Sequence, residues 1–253
     1  MVSDMNQPAD MNAAIWQSSE MAQTWAAEAA EREQRNAAPW RFMTVLLPFG
    51  EQEAFTFLDL GAGPGGLSRV ILGAYPNSTA VLADFSAVMM GAGERDMEPF
   101  AGRYQYVEFD LQAGGWPASI PASVDAVVSS MFVHHLTDER KRGLFAEIFD
   151  RLVPAGWYLN YDPVRIDDPV IEAACQQASD RRDPHLAHKR THRTPEEQAR
   201  WDNHVRHMIP LAPQLEYLRL AGFEGVDVYW KRLDFVIYGG RRPPAPHAAS
   251  SPG

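Results

Sequence analysis

Apolar and polar positions between residues 54 and 161 follow two alternating periods. Short runs of strand-forming residues occupy Ala54–Leu60, Thr79–Ala83, Tyr104–Phe109, Val124–Ser130 and Gly156–Tyr161. Between most of them lie stretches whose apolar residues return every three or four positions, at Leu67–Ala74, Ala87–Arg95 and Asp138–Leu152. Leu111–Ser123, rich in glycine and proline, reads as a loop. The run Val124, Ala126, Val127, Val128 has few polar alternations, as in a strand covered on both faces. Strand and helix taken in turn predict a parallel, doubly wound sheet with right-handed crossovers.

The flanks read differently. From Asn12 to about Asn36, Ile15, Trp16, Met21, Trp25 and Ala29 recur on one helical face. Ala38-Pro39-Trp40 predicts a break, followed by a second helix to Leu47 that Pro48 ends. Residues 162–209 are polar, without a convincing strand, and read as a helical insertion holding His185, His188, His192, Trp201, His204 and His207. A helix over Gln214–Leu220 follows, with Gly222 suited to a left-handed cap. Val226–Trp230 and Leu233–Tyr238 read as an antiparallel hairpin joined at Lys231-Arg232. The expected organisation is a flexible segment 1–11, an N-terminal helical lid 12–50, an α/β domain 51–240 interrupted by a cap at 162–209, and a disordered tail 241–253.

Composition narrows the function classes. The 253 residues are 45% apolar and 22% charged, enough for one large domain with a full core. A formal charge of −10 argues against an extended phosphate-binding face, so no nucleic-acid partner is expected. Basic residues do cluster between Arg181 and Arg193, but Asp180, Asp183, Glu196 and Glu197 interrupt or follow them. Cys175 is the sole cysteine, which excludes an intrachain disulfide and a cysteine-based metal site. Met1–Glu20 lacks a basic start and an apolar run, and Phe42–Phe49 is far too short to span a bilayer. A cytoplasmic, non-membrane protein is the expectation.

The chemistry is concentrated in Phe57-Leu58-Asp59-Leu60-Gly61-Ala62-Gly63-Pro64-Gly65-Gly66. Four glycines in six positions, after a strand and before a helix, let a ligand lie directly on main-chain N–H groups. Gly61, Gly63 and Gly66 also satisfy the dinucleotide pattern, and Asp84 ends the next strand where it could accept from two ribose hydroxyls. NAD and S-adenosylmethionine (SAM) both have such a ribose, so the glycines alone do not choose. Asp59 does. A carboxylate beside a pyrophosphate is unfavourable, whereas beside the ammonium and sulfonium of SAM it is not.

With these residues in place, the chain resembles the class I SAM-dependent methyltransferases. Asp59-x-Gly61-x-Gly63-x-Gly65 matches their first motif, Asp84 their ribose-binding acid, and Asp110 the position that often meets the adenine amino group. Val124–Leu136 is similar to the family's fourth strand and following loop, and Leu152-Val153-Pro154-Ala155-Gly156 to its turn into strand five, with Ala155 replacing a glycine. The resemblance implies a Rossmann-like, doubly wound sheet of seven strands with the last antiparallel, N-terminal helices and a helical cap insertion. It further implies Asp59, Gly61, Ala62, Gly63, Gly65, Asp84, Phe85, Asp110, Leu111, Ser129 and Ser130 as cofactor-binding positions. His134, His135, Tyr161 and Asp162 are the candidates for catalysis at the ends of strands four and five.

The activity so implied is in-line methyl transfer from SAM to oxygen or nitrogen of a small-molecule acceptor, by a monomer or homodimer. Alternatives are an enzyme of the same fold that consumes SAM itself by cyclisation or carboxyl transfer, a tRNA-modifying methyltransferase, and a nicotinamide oxidoreductase. His185, His188 and His192 have a spacing that could present three imidazoles to a metal, but Asp183-Pro184 and the neighbouring arginines favour a solvated or substrate-contacting cap. No metal site is expected. Trp16, Met21 and Trp25 read either as a lid over SAM or as the buried face of an ordinary helix.

Overall fold

The computed structural model describes residues 29–245. The helical face expected from Ile15, Trp16, Met21 and Trp25 lies outside the described residues. In chain order the elements are α1 (Ala29–Leu46), β1 (Thr56–Leu60), α2 (Gly66–Ala74), β2 (Thr79–Asp84), α3 (Ala87–Met97) and β3 (Tyr104–Glu108). They continue with β4 (Val124–Ser130), α4 (Asp138–Arg151), β5 (Leu152–Pro163), the cap helices α5 (Pro169–Arg182), α6 (Pro184–Thr191) and α7 (Pro195–Val205), then α8 (Leu211–Ala221), β6 (Glu224–Arg232) and β7 (Phe235–Arg241).

The seven strands form one sheet in the order β3-β2-β1-β4-β5-β7-β6. The first five pair in parallel, while β7 is antiparallel to both β5 and β6, so only the last strand is reversed. This is the expected doubly wound sheet. Its side chains divide by the two-residue period of a strand. Leu58, Leu60, Val81 and Val127 enter the core beneath α4 and α8, beside Leu144, Phe145, Ile148 and Leu218. Phe57, Leu82, Ala126 and Val128 enter the opposite core with Met43 of α1 and Leu67, Ile71 and Leu72 of α2. Burial on both faces is why these strands carry so few polar positions, each fully buried aliphatic contributing about 1.5–3 kcal/mol. The order also places β1 next to β4 at the reversal of winding, where a crevice opens at the strands' carboxyl ends.

Local departures from the sequence pattern have identifiable causes. Helix α1 runs through Pro39 instead of breaking there. A proline in a helix interior costs about 3 kcal/mol, but Pro39, Met43 and Thr44 are buried, and the Thr44 hydroxyl donates back to the Trp40 carbonyl at 2.8 Å. Tertiary packing outweighs the local penalty. The hairpin turns at Leu233-Asp234, two residues later than the expected joint at Lys231-Arg232, with Leu233 in the left-handed region at φ +57°. Lys231 and Arg232 belong to β6, paired with Val236 and Phe235. Strand β5 starts at Leu152, and the pairing of β4 with β5 shifts register between Val124 and Ala126. Ala155, in the position of the absent glycine, has φ +66°. No helix among the described residues is long and apolar enough to cross a membrane.

Candidate active site

The chain turns immediately after β1 because glycine permits backbone angles that other residues resist. Gly61, Gly63 and Gly65 have φ of +69°, +51° and +80°. At Gly61 the demand is also steric: a Cβ would overlap the Phe132 ring. Phe132 arrives there because Met131, directly after β4, itself takes φ +60° and donates its N–H to the Tyr161 carbonyl at 2.8 Å. The loop is tied to β2 by Gly61 and Ala62, whose N–H groups donate to the Ala83 carbonyl at 2.8 and 3.1 Å.

Two carboxylates stand beside this loop. Asp59 is buried and accepts a 2.7 Å hydrogen bond from the Ser68 hydroxyl on α2. Burial pushes its carboxyl up to about 7, the serine bond lowers it and the charge of Asp84 raises it, and no neighbouring cation among the described residues offsets that cost. Such a group calls for a cationic ligand. Asp84 accepts from Gly63 N–H at 2.8 Å and Ser86 N–H at 2.9 Å, bonds that partly counter the upward shift from burial. SAM fits this pair: its ammonium supplies the charge Asp59 lacks, and its ribose hydroxyls can donate to Asp84.

A cavity of about 1300 Å³ extends from this loop to the cap. Asp59, Gly61, Ala62, Gly63, Asp84 and Phe85 line one end, with Ser130, His135 and Tyr161 along the strand ends. Other predicted positions are not brought into it. Asp110 is exposed and accepts from the Gln112 N–H at 2.9 Å, closing its own turn, while Leu111 is buried in the core. Gly65 faces Met97, Leu82 and Tyr106 instead of the cavity. Ser129 donates to the Leu60 carbonyl at 2.8 Å, stitching β4 to β1, whereas Ser130 accepts from Trp40 Nε1 at 2.7 Å. Neighbouring residues of a strand face opposite ways, so one serine of the pair serves the sheet and the other the cavity. Trp40 had no sequence signal, and its ring also covers Gly66, where a Cβ would lie 2.6 Å from it.

The catalytic candidates separate into a front and a back. His134 and Asp162 are buried behind the cavity wall. The Asp162 carboxylate accepts from the His134 backbone N–H at 2.7 Å and faces its Nδ1 at 2.6 Å. A carboxylate can only accept, so Nδ1 carries a proton and, in the neutral ring, Nε2 presents its lone pair. That Nε2 is buried and meets no hydrogen-bond partner among the described residues. In front stand His135 and, from α7, His204, with ring centroids 4.1 and 4.5 Å from that of His134 and 4.9 Å from each other. Burial and the neighbouring imidazoles hold His135 well below the ordinary range and His204 down to about 3. Lys141 lies behind them, its ammonium donating to the carbonyls of Leu136 and His207 at 2.6 and 2.5 Å, with burial pushing it down to about 8.

Tyr161 is packed between Trp230 and Phe235 and pushed up to about 12 by burial, which keeps it a phenol and a hydrogen-bond donor. Arg165 pairs with Asp167 at the surface. His188 and His192 stack at 3.9 Å on the cap side of the cavity, apart from His185, so the triad suggested by their spacing is not assembled. His204 was one of several histidines in the cap, and nothing in the local sequence singled it out.

Residues 57–156 match the family model described as a methyltransferase domain. The chain carries a class I SAM-dependent methyltransferase domain. Within it fall the glycine loop, both acidic residues and the two histidines after β4, while Asp162, His204 and the cap lie beyond the matched segment. The chain is 30% identical over 124 residues to acetylserotonin O-methyltransferase of Gallus gallus, covering 49% of this chain and 34% of that protein. It is 31% identical over 112 residues to malonyl-[acyl-carrier protein] O-methyltransferase of Chlorobium phaeovibrioides, covering 44% and 41%. The matched segments thus span well under half of these curated relatives. The solved structure of human N-acetylserotonin methyltransferase in complex with SAM superposes with a TM-score of 0.62 at 16% identity, covering 94% of this chain and 60% of that one. At that identity the likeness is one of fold.

Proposed function

We propose that this chain transfers the methyl group of SAM to an oxygen of a small-molecule acceptor. The observation that carries the reading is one cavity with a cofactor end and an imidazole end: Asp59, the glycine loop and Asp84 at the first, His135 and His204 at the second. The choice of oxygen is supported by the two curated relatives, both named O-methyltransferases.

The residues divide the work in a physically simple way. SAM supplies an electrophilic methyl carbon bound to a cationic sulfur. Asp59 would hold the ammonium of SAM and Asp84 its ribose, with Phe85 as an apolar wall. The sulfonium would then lie at the carboxyl end of β4, near Ser130 and Met131. Holding acceptor and methyl carbon in line lowers the barrier by roughly 7–11 kcal/mol without bond chemistry from the protein. The acceptor hydroxyl would be held at the imidazole corner, where His135 and His204 reach the cavity, stay neutral and can accept its hydrogen bond, with the Asp162–His134 pair packed behind them. Tyr161 is placed to donate a hydrogen bond, not to accept a proton. Helix α1, anchored by Trp40 on Ser130, and the cap 162–209 enclose the acceptor and set its shape.

Incubation with SAM alone and then with pooled hydroxyl-bearing acceptors tests this reading. SAM and S-adenosylhomocysteine should raise the melting temperature and NAD should not. S-adenosylhomocysteine should accumulate only when an acceptor is present. Consumption of SAM without an acceptor would instead establish an enzyme that uses SAM as its substrate.

A further inference from the structure

We propose that His134, His135 and His204 form a binding site for a zinc-class divalent cation, its open coordination position facing the cavity. One ligand nitrogen from each ring lies within 4.8 Å of the other two. The ligands come from two distant elements. His134 and His135 lie in the short 3-10 turn Val133–His135 after β4, and His204 in the last turn of α7.

Three features make this more than ring packing. The buried Nε2 of His134 has no partner among the described residues, although a buried polar atom ordinarily finds one. Its Nδ1 is held by the Asp162 carboxylate at 2.6 Å, the outer-shell arrangement that orients a metal-bound imidazole and raises its basicity. Asp162 is fixed in turn by the His134 backbone N–H. Finally, His135 and His204 line the cavity whereas His134 does not, so three ligands close one side and leave the cavity side open. A tetrahedral zinc ion at roughly 2.1 Å from each nitrogen needs them roughly 3.4 Å apart, so His135 and His204 would have to close on His134, which Asp162 holds in place. The ligand set is all imidazole, which suits zinc, cobalt and nickel and not magnesium. The buried Lys141 ammonium opposes a cation here, and Asp162 is the charge that offsets it.

Use of the open position rests on the methyl-transfer reading; occupancy of the site does not. An acceptor hydroxyl bound there through oxygen would release its proton to water. The oxygen lone pair then forms the new bond to the methyl carbon, and the carbon–sulfur bonding pair stays on sulfur, giving neutral S-adenosylhomocysteine. Nε2 of His134 then serves as a ligand, and the cation holds α7 against the end of β4.

The test uses the full chain without a histidine tag, dialysed against a chelator and titrated with Co2+. The expected result is a tetrahedral visible absorption band saturating at one cobalt per chain, displaced by Zn2+ and unaffected by Mg2+. His204→Ala should abolish the band, and Asp162→Asn should weaken affinity by roughly 10- to 100-fold while keeping the same spectrum. His188→Ala, which removes half of the stacked pair on the cap, should change nothing. Absence of a band in the parent chain overturns the proposal, as does a band that survives in His204→Ala and disappears in His188→Ala. SAM binding to the same metal-free protein, followed by calorimetry, separates the two readings. Loss of SAM binding would remove methyl transfer and leave the cobalt result standing, and the reverse holds equally.

Discussion

At the scale of single residues, Asp59 is the position whose chemistry is most sharply set by its surroundings. Its carboxyl is fully buried, with Ser68 its hydrogen-bond donor, and burial pushes it up to about 7 from the ordinary carboxylate range. The folded chain without ligand therefore binds more protons than the unfolded chain between about pH 4 and 7, and its stability falls as pH rises through that window. Asp59→Asn should relieve this, making the ligand-free protein more stable than the parent at pH 8 by on the order of 1.4 kcal/mol for each tenfold gain in proton affinity that burial gives the carboxyl. The difference should vanish near pH 4 in thermal denaturation. Binding should move the other way. Breaking a buried ion pair costs roughly 3–5 kcal/mol, so Asp59→Asn should weaken SAM by roughly 100- to 5000-fold in calorimetry. For the parent chain, SAM affinity should fall by up to about tenfold for each pH unit below 7, as the carboxylate it needs becomes protonated. An Asn variant that binds SAM normally would remove Asp59 from the cofactor site.

At the scale of elements, the cofactor end depends on how closely α3 approaches the glycine loop. A Cβ at Gly93 would overlap the Pro64 carbonyl and lie 2.6 Å from the Tyr106 hydroxyl, while at Gly91, two residues earlier in the same helix, it would meet nothing. Gly→Ala in a helix interior ordinarily gains about 0.5–1 kcal/mol. Gly91→Ala should show that gain in denaturant melts. Gly93→Ala should reverse it, since overpacking costs about 1–3 kcal/mol and the obstructing atom is backbone, and should weaken SAM by shifting Pro64. The same distinction explains what the sequence revealed. The parallel strands, the glycine turn, Asp59 and Asp84 were legible because periodicity, φ > 0 and an acidic strand end are properties of a few adjacent residues. Asp110 was read by position, yet its carboxylate closes its own turn at the surface. His204 was illegible because its meaning comes from His134, seventy residues earlier, across an insertion whose five histidines look alike in sequence. Trp40 escaped for a related reason: Pro39 suggested a break in the helix that carries it to Ser130.

At the scale of the whole molecule, the sheet and the cap are stabilised by different means. β1 and β4 lie between two cores and are almost completely buried, whereas α5 and α6 contain no buried residue. Val170 and Ile171 of α5 are exposed. The cap helices are specified locally instead. Asp168 and Asp183 cap the starts of α5 and α6, each with proline in the first turn, and Thr194 and Glu197 form a reciprocal capping box on α7. Caps contribute about 1 kcal/mol each, far less than a buried strand, so the cap is the first unit expected to open. Its firmest link to the sheet is α7, where Trp201 stacks on His204 at 5.3 Å beneath the Arg193 guanidinium at 4.1 Å, and His204 meets the histidines after β4. Native-state hydrogen exchange should show amides of 169–191 exchanging at least about 100-fold faster than those of β1 and β4, with α7 between them. Trp201→Ala should bring α7 to the rate of α5 and α6 and speed proteolysis within 169–205, with little change in the unfolding of the sheet. Cap amides as protected as those of β4 would show that the two parts unfold together, and access to the cavity would then require the whole molecule to open.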